Sequence, residues 1–159
     1  MTEQEKMEQA RITFTTLCQF LEKNDWHFKK NVEKLVVECG AQGDDLPMEL
    51  TIRVDAERSL VMLLSRLPFA IQEDKRLDVA VAVTAINNAI VDGSFDYDVV
   101  SGNMFFRMTN SIIESRLSEE VFAYMIYASC QMVDEYNDRF LMLAKGMLTL
   151  EQFLSKIGK

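Results

Sequence analysis

The most informative part of the sequence is DGSFDYDVVSGNMFFRMTN, which runs from Asp92 to Asn110. Two short runs of alternating apolar and polar residues surround a glycine, which is typical of a β-hairpin. The two-residue turn could be at Ser101-Gly102 or at Gly102-Asn103, and in both cases the same side chains share one face of the hairpin. Both registers place the following side chains on one face: Tyr97, Val99, Met104, Phe106 and Met108. We therefore predict that this face joins the hydrophobic core.

The other face of the hairpin carries two carboxylates, which raises the question of acid–base chemistry. Asp96 and Asp98 lie on one strand, and the strand rise separates them by about 7 Å, a distance that an inverting glycosidase pair can have. However, acid and base roles require two carboxylates in different environments. Arg107 shares this face and offers a cross-strand ion pair. We interpret the two carboxylates as the solvated face of a hairpin.

Outside the hairpin, helical and strand patterns alternate along the chain. Thr2 and Glu5 form a capping-box pattern that opens a first helix, whose apolar stripe ends near Asn24. Between Trp26 and Phe69 the pattern changes to short alternating runs bounded by turn residues, which predicts three to four antiparallel strands. The candidate strands are 27–29, 35–39, 50–54 and 60–67.

Residues 74–92 predict a helix that is apolar over more than half of its circumference. The side predicted to face the sheet consists of Val79, Val83, Ile86 and Ile90. The polar strip is narrow and consists of Thr84, Asn87 and Asn88. Between them lies a band that we call the alanine stripe, formed by Val81, Ala82, Ala85 and Ala89. Because small residues permit close helix packing, we predict that the alanine stripe mediates self-association or partner binding, unless a terminal helix of the same chain covers it.

Two helices complete the chain. Ser118, followed by two glutamates, is a typical N-cap for a long helix that runs to Gly146. Thr149 and Gln152 form a second capping-box pattern, which predicts a short helix over 149–158. We therefore predict a single α+β domain over residues 1–159, with helices packed on an antiparallel sheet in the order α-β(3-4)-α-β-β-α-α.

Composition argues against several classes of function. The chain of 159 residues has 25 acidic and 17 basic side chains, a net charge of −8. An acidic surface repels phosphate, so we predict no binding to nucleic acid or to a membrane. We expect no signal peptide or membrane-spanning helix, because no apolar run approaches the roughly 20 residues that a span needs. Three widely spaced cysteines suggest free thiols in a reducing compartment, so we expect a cytoplasmic protein.

No arrangement of reactive residues matches a known site chemistry. The one histidine, His27, and the scattered cysteines lack the spacing of zinc ligands. The glycine pair at 40 and 43 lacks the Lys-Ser/Thr that completes a phosphate loop. Asp44 and Asp45 are not followed by further oxygen ligands for a cation. We predict no catalytic residue, no cofactor and no metal, and therefore no enzyme.

Several segments from Trp26 onward carry a family resemblance. They are LSRLPF at 64–69, AIN at 85–87 with GSFD at 93–96, and LSEE at 117–120 opening a helix that reaches DEY at 134–136. In these segments the chain resembles the bacterial YbjN-like family, described as candidate sensory-transduction regulators with a fold similar to type III secretion chaperones. The resemblance implies helices on an antiparallel sheet and frequent pairing of two protomers. It carries over no catalytic residue, and the tail from Leu148 departs from the family pattern.

Three functions follow from these observations. We favour a non-enzymatic interaction module, chaperone-like or regulatory, that binds a protein or peptide partner and forms a homodimer. The ten methionines fit this function, since methionine forms adaptable apolar surfaces. The alternatives are a regulator that binds a small ligand and a hydrolase that uses carboxylates such as Asp44, Asp96 or Asp98. An exposed apolar groove or sheet edge favours the first function, whereas converging polar groups with perturbed carboxylates favour the others.

Overall fold

A computed structural model describes residues 1–157 of the chain. Its secondary structure confirms the predicted α+β class, with four strands before the middle helix and two after it. In chain order the elements are α1 (Glu3–Lys23), β1 (Phe28–Asn31), β2 (Val36–Gln42), β3 (Pro47–Asp55), β4 (Leu60–Arg66), a 3-10 turn (Glu73–Lys75), α2 (Arg76–Ala89), β5 (Ser94–Tyr97), β6 (Met104–Ser111), α3 (Glu119–Ala144) and α4 (Leu150–Ser155).

The strands form one antiparallel sheet in the order β1-β2-β3-β4-β6-β5. Strand β4 pairs with β6 and not with β5, so the second hairpin adds to the sheet through its later strand. This leaves β1 and β5 as the two edge strands. Helix α2, which connects β4 to β5, packs along β5.

The sheet buries one of its two faces. Every second residue of β3 is buried, from Met48 to Val54, and Val61 and Leu63 continue this inner face on β4. Helices α1 and α3 pack on it. The period of two in burial is what a sheet covered on one side produces. The short helix α4 packs on both α3 and α2.

The β5–β6 hairpin confirms the predicted parity but corrects the turn. Tyr97 pairs with Met104, so the loop spans residues 98–103 in place of a two-residue turn. Met104 and Phe106 are buried, and Tyr97 packs against the core beside them, as predicted. The assignment of Val99 to the core face was wrong, because Val99 lies in the loop and is 45% exposed.

Contacts inside and outside the loop stabilise its longer form. The Asp98 carboxylate accepts hydrogen bonds from the Val100 N–H at 2.9 Å and from the Ser101 hydroxyl at 2.6 Å. The Gly102 carbonyl accepts a hydrogen bond from the Ile71 N–H at 2.8 Å. Because Ile71 precedes α2 and is far from the loop in sequence, local turn rules could not identify this contact.

An aromatic cluster joins the hairpin to the C-terminal helices. The Phe95 ring lies 5.1 Å from the Phe106 ring and 5.2 Å from the Phe140 ring, measured between centroids. The Tyr136 ring lies 6.0 Å from Phe95, and the Phe153 ring lies 5.3 Å from Phe140. Most of these pairs meet edge to face, which is the preferred aromatic geometry. The cluster connects β5, β6, α3 and α4 into one core.

Candidate interaction surfaces

The structure divides the alanine stripe between the interior and the surface. Ala82 has no exposed surface, whereas Val81 is 49% exposed. Ala85 is half-buried and Ala89 is exposed. Leu77, one turn before Val81, extends the accessible part and is 77% exposed. The accessible surface is therefore narrower than the predicted stripe, and its role in binding stays a prediction.

The rest of α2 follows the predicted pattern on its buried side. Val79, Val83 and Ile86 are buried, and Ile90 packs against the core just after the helix ends. The helix ends at Ala89, before the predicted limit at Asp92. A methyl group such as that of Ala82 can be fully covered only by a closely approaching neighbour. Helices α3 and α4 both pack against α2, so the coverage comes from within the chain.

Asn87 closes the β5 edge of the sheet, a role that sequence analysis missed. Its side-chain oxygen accepts a hydrogen bond from the Phe95 N–H at 2.8 Å, and its side-chain nitrogen donates to the Phe95 carbonyl at 2.9 Å. A further strand would need these same main-chain groups. The amide therefore takes the place of a neighbouring strand, which protects the edge from pairing. Sequence analysis placed Asn87 in the polar strip of α2. The residue type shows that its amide can donate and accept hydrogen bonds, but it does not identify the partner.

Replacing Asn87 with alanine should lower the free energy of unfolding by about 1–3 kcal/mol, because two partly buried main-chain groups of Phe95 lose their partners. Urea denaturation measures the change. Asn88→Ala is the matched control, because it brings the same gain in helix propensity at an exposed position and should stay within about 0.5 kcal/mol of wild type. Equal effects of the two substitutions would contradict the edge role of Asn87.

The outer face of the sheet is open to solvent over residues 1–157. None of the outward-facing residues of β2, β3, β4 and β6 is buried. On the central strand β4 three of these four residues are apolar: Leu60, Met62 and Leu64 are each half-buried, and the fourth is the exposed Arg66. We call these three residues the β4 row. A sheet with one solvated face normally alternates apolar and polar residues, so an apolar row on the solvated side of a central strand is an exception to this pattern.

Two arginines flank the β4 row on the neighbouring strands. Arg53 pairs across from Met62, and Arg107 pairs across from Leu64. Arg107 forms an ion pair with Asp96 at 3.0 Å, and Arg53 contacts a carboxylate of its own strand at 3.9 Å. The long side chains of arginine can cover apolar neighbours while their charged ends stay in water. The β4 row is thus apolar at its centre and charged at its sides.

A third arginine stands at the end of the β4 row. Arg66 lies over the Phe105 ring at 6.0 Å from its centroid, and it donates a hydrogen bond to the Asn103 side chain at 3.2 Å. Among residues 1–157, no carboxylate lies within ion-pair distance of Arg66. Glu49 lies directly across from Arg66 on β3, but the contacts of the guanidinium within the described residues are with Phe105 and Asn103.

The two hairpin carboxylates have separate structural roles. Asp96 binds Arg107 across the strands, as predicted, although the pair is diagonal because Ser94 lies directly opposite Arg107. The Ser101 hydroxyl and loop N–H groups bind the Asp98 carboxylate and lower its pKa. A general acid at neutral pH needs the opposite shift. The lowered pKa of Asp98 therefore does not suit the acid role of a glycosidase pair.

The three cysteines are free thiols, as expected from their spacing. Cys18 is buried, and Cys39 and Cys130 are half-buried. Burial raises the pKa of Cys39 and that of Cys130 to about 11 each. A thiol with a raised pKa stays protonated near neutral pH and is a weak nucleophile.

The glycine-rich loop between β2 and β3 has a structural partner. The Asp44 N–H donates a hydrogen bond to the Asp134 carboxylate of α3 at 2.8 Å. Within residues 1–157, no group of three or more His, Cys, Asp or Glu side chains could hold a metal ion. None of the helices in the same range has the length and apolar content needed to cross a membrane.

Comparison with solved structures shows which fold the chain has. Its structure matches the crystal structure of YbjN from E. coli, a candidate transcription regulator, with a TM-score of 0.57 and 14% identity, over 79% of this chain and 92% of that chain. It matches the HopA1–SchA chaperone–effector complex with a TM-score of 0.52 and 18% identity, over 84% of this chain and 95% of that chain. It matches the ExsC–ExsE complex with a TM-score of 0.55 and 15% identity, over 79% of this chain and 90% of that chain.

These matches confirm a YbjN-like fold of the secretion-chaperone type, as the sequence resemblance implied. No family model matches the chain, and no curated protein matches it by sequence. At identities below one fifth the likeness concerns the fold, since one fold serves many functions.

Proposed function

We propose that the protein is a non-enzymatic interaction module, chaperone-like or regulatory, that binds a protein or peptide partner on its open sheet face. The observation that carries this proposal is the β4 row, whose three apolar side chains lie on a face without a covering helix in residues 1–157. Covering them would remove apolar surface from water, which stabilises a complex by roughly 25 cal/mol per Å². The similar fold of SchA, solved as a chaperone–effector complex, supports a protein as the partner.

The charges around the β4 row indicate the chemistry of the partner segment. Arg66 lacks a carboxylate partner within residues 1–157, whereas Arg107 already binds Asp96. A segment with apolar side chains along its centre and a carboxylate near one end would match both the row and the free guanidinium. Charge-assisted hydrogen bonds between arginine and a carboxylate are among the stronger surface contacts. We therefore infer a partner segment that is apolar and acidic.

Site-specific photo-crosslinking in cells of the source organism tests this proposal. A photoreactive amino acid at Leu64 should crosslink one defined protein, because Leu64 belongs to the β4 row on the open face. The same amino acid at Gln19, which is exposed on α1, is the control and should not capture that protein. Equal crosslinking from both positions, or none from Leu64, would overturn the proposed surface.

With the crosslinked partner in hand, Leu64→Glu should weaken its binding at least tenfold, which corresponds to about 1.4 kcal/mol. The reason is that a carboxylate in the β4 row would be desolvated beside apolar groups in the complex. Calorimetric titration measures the affinity, and Gln19→Glu adds the same charge away from the row. An unchanged affinity of the Leu64→Glu variant would place the interface elsewhere.

We also propose that the protein self-associates through the accessible part of the alanine stripe. Leu77, Val81 and Ala85 follow each other at four-residue spacing along α2, and the first two are exposed. Ala85→Glu should convert a dimer into a monomer in light scattering while the circular dichroism spectrum stays the same. A monomeric wild type would reject self-association, and a lost spectrum would show that Ala85 packs only inside the monomer.

A small-ligand regulator is the second candidate function. A shallow depression of about 660 Å³ lies on the outer face around Gly40, where the strand has no side chain, between Lys29, Glu38 and Glu49. Ligand pockets are usually concave and mostly apolar, whereas this depression lies among exposed charged side chains. The open sheet face therefore supports a protein partner better.

The three free thiols fit the cytoplasmic location that we propose.

A further inference from the structure

We propose that the outer side of α3 binds an arginine-containing segment of a protein partner, at a surface separate from the open sheet face. The surface consists of residues that we call the α3 patch: Asp92, Glu120, Tyr124, Tyr127 and Glu135. Helix α3 packs on the inner face of the sheet, so the α3 patch and the β4 row lie on different sides of the sheet. One chain would therefore have room for two partner segments.

Helical spacing places most of the α3 patch in one row. The row consists of Glu120, Tyr124, Tyr127, Gln131 and Glu135, which follow each other at intervals of three or four residues. Residues at these intervals lie on the same side of a helix. Every member of the row is exposed, so no element within residues 1–157 covers it. The row is open to a partner along about four turns of α3.

Contacts on both sides hold the two tyrosine side chains in place. The Tyr127 ring meets the buried Phe20 ring edge to face, with 6.4 Å between centroids, and lies 6.4 Å from the Trp26 ring. The Tyr124 hydroxyl donates a hydrogen bond to the Asp92 carboxylate. Both tyrosines nevertheless stay accessible, Tyr124 at 55% and Tyr127 at 51%. Aromatic side chains that are fixed but accessible lose little conformational freedom on binding, and tyrosines of this kind often anchor protein interfaces.

The charge around these rings favours a cationic partner. The acidic residues of α3 are Glu119, Glu120, Asp134, Glu135 and Asp138, and its one basic residue is Arg139. The Lys23 ammonium group of α1 is already paired with Glu119 at 3.1 Å. Within residues 1–157, Asp92, Glu120 and Glu135 form no ion pair. Unpaired carboxylates beside two exposed rings are complementary to positive charge, which also gains cation–π contacts with tyrosine.

A depression beside Tyr124 provides a place for one cationic side chain. It has a volume of about 560 Å³ and lies between α3, β6 and the segment that follows α2, with Asp92 and Tyr124 in its wall. Arg107 also lines it, but Asp96 pairs with that guanidinium at 3.0 Å. Arginine suits this place better than lysine, because a planar guanidinium can bond a carboxylate through two N–H groups and stack on an aromatic ring.

Fluorescence anisotropy with a labelled alanine-based peptide that has an arginine at every fourth position tests this proposal. The peptide should bind the wild-type chain, because its charges repeat at nearly the same interval as the row on α3. A peptide with citrulline, the uncharged counterpart of arginine, should not bind, and a peptide with lysine should bind more weakly. Absence of binding by the arginine peptide, or equal binding by either of the other two, would overturn the proposal.

Substitutions in the chain show where the peptide binds. Asp92→Asn should weaken binding about tenfold because a charge-assisted contact is lost. The double variant Tyr124→Ala/Tyr127→Ala should also weaken it about tenfold, since two cation–π contacts are lost. Glu8→Gln is the control, because it removes one charge at an exposed position of α1 and should leave the affinity unchanged. Equal effects of Glu8→Gln and Asp92→Asn would mean that the peptide responds only to overall charge, and the α3 patch would be rejected.

Two single variants keep the test decisive if circular dichroism shows that the double variant is unfolded. Tyr124→Gln removes the ring and should weaken binding about threefold, whereas Tyr124→Phe keeps the ring and should not. Equal affinities of these two variants would contradict the role of the ring. Leu64→Glu, in the β4 row, should not weaken peptide binding. A loss of binding in that variant would place the peptide on the sheet face and overturn a second surface on α3.

Discussion

Replacing Phe106 with alanine is expected to lower the free energy of unfolding by about 3–5 kcal/mol, the usual range for an aromatic ring removed from a core. Phe106 has no exposed surface, and its ring meets Phe95 edge to face at 5.1 Å. The cavity would open in the aromatic cluster that joins the hairpin to α3 and α4. Urea denaturation followed by circular dichroism measures the loss.

Its neighbour Phe105 provides the matched control. Phe105 points to the opposite, open face of the sheet, is half-buried, and contacts Arg66. Phe105→Ala removes the same side chain but should cost only about 1 kcal/mol, because little buried area is lost. Similar losses for the two variants would contradict the assignment of the hairpin faces.

Gly102→Ala should destabilise the protein by about 2–5 kcal/mol. Gly102 has a φ of 77°, which costs a residue with a side chain about 1–2 kcal/mol. A methyl group there would also overlap the Ile71 carbonyl oxygen, and overpacking typically adds about 1–3 kcal/mol. Urea denaturation measures this loss as well.

Gly146→Ala separates the cost of the positive φ from the cost of steric overlap. Gly146 has a similar φ of 72° but more space around it. An added Cβ would be 3.7 Å from the nearest Lys75 atom, which is an ordinary contact. Gly146→Ala should therefore cost only about 1–2 kcal/mol. If Gly102→Ala costs no more than Gly146→Ala, the contact between the hairpin loop and Ile71 is not tight in solution.

Features that depend on near neighbours in the chain were predicted well. The caps at Thr2, Ser118 and Thr149 are all present, because each side chain bonds a main-chain group three residues away. The parity of the hairpin was correct for the same reason, since alternation along a strand is a local property. The buried side of α2 also followed from helical periodicity.

The candidate sites were predicted less completely, because their key contacts join distant parts of the chain. The β4 row has the composition of an ordinary buried strand, and only the packing of α1 and α3 on the opposite face reveals it as a surface. Asn87 is one of two adjacent asparagines, and only the position of Phe95 distinguishes it from Asn88. The alanine stripe was read as one surface, whereas burial of Ala82 divides it.

The sequence by itself determined the α+β class, the caps, the parity of the hairpin and the buried side of α2, because these depend on hydrogen bonds and periodicity within a few residues. Only the tertiary structure decided the length of the hairpin loop, which depends on Ile71, and the closure of the β5 edge, which depends on Asn87. It also decided that α4 covers part of α2. Such contacts join residues far apart in the chain, and their energies depend on geometry that no local pattern encodes.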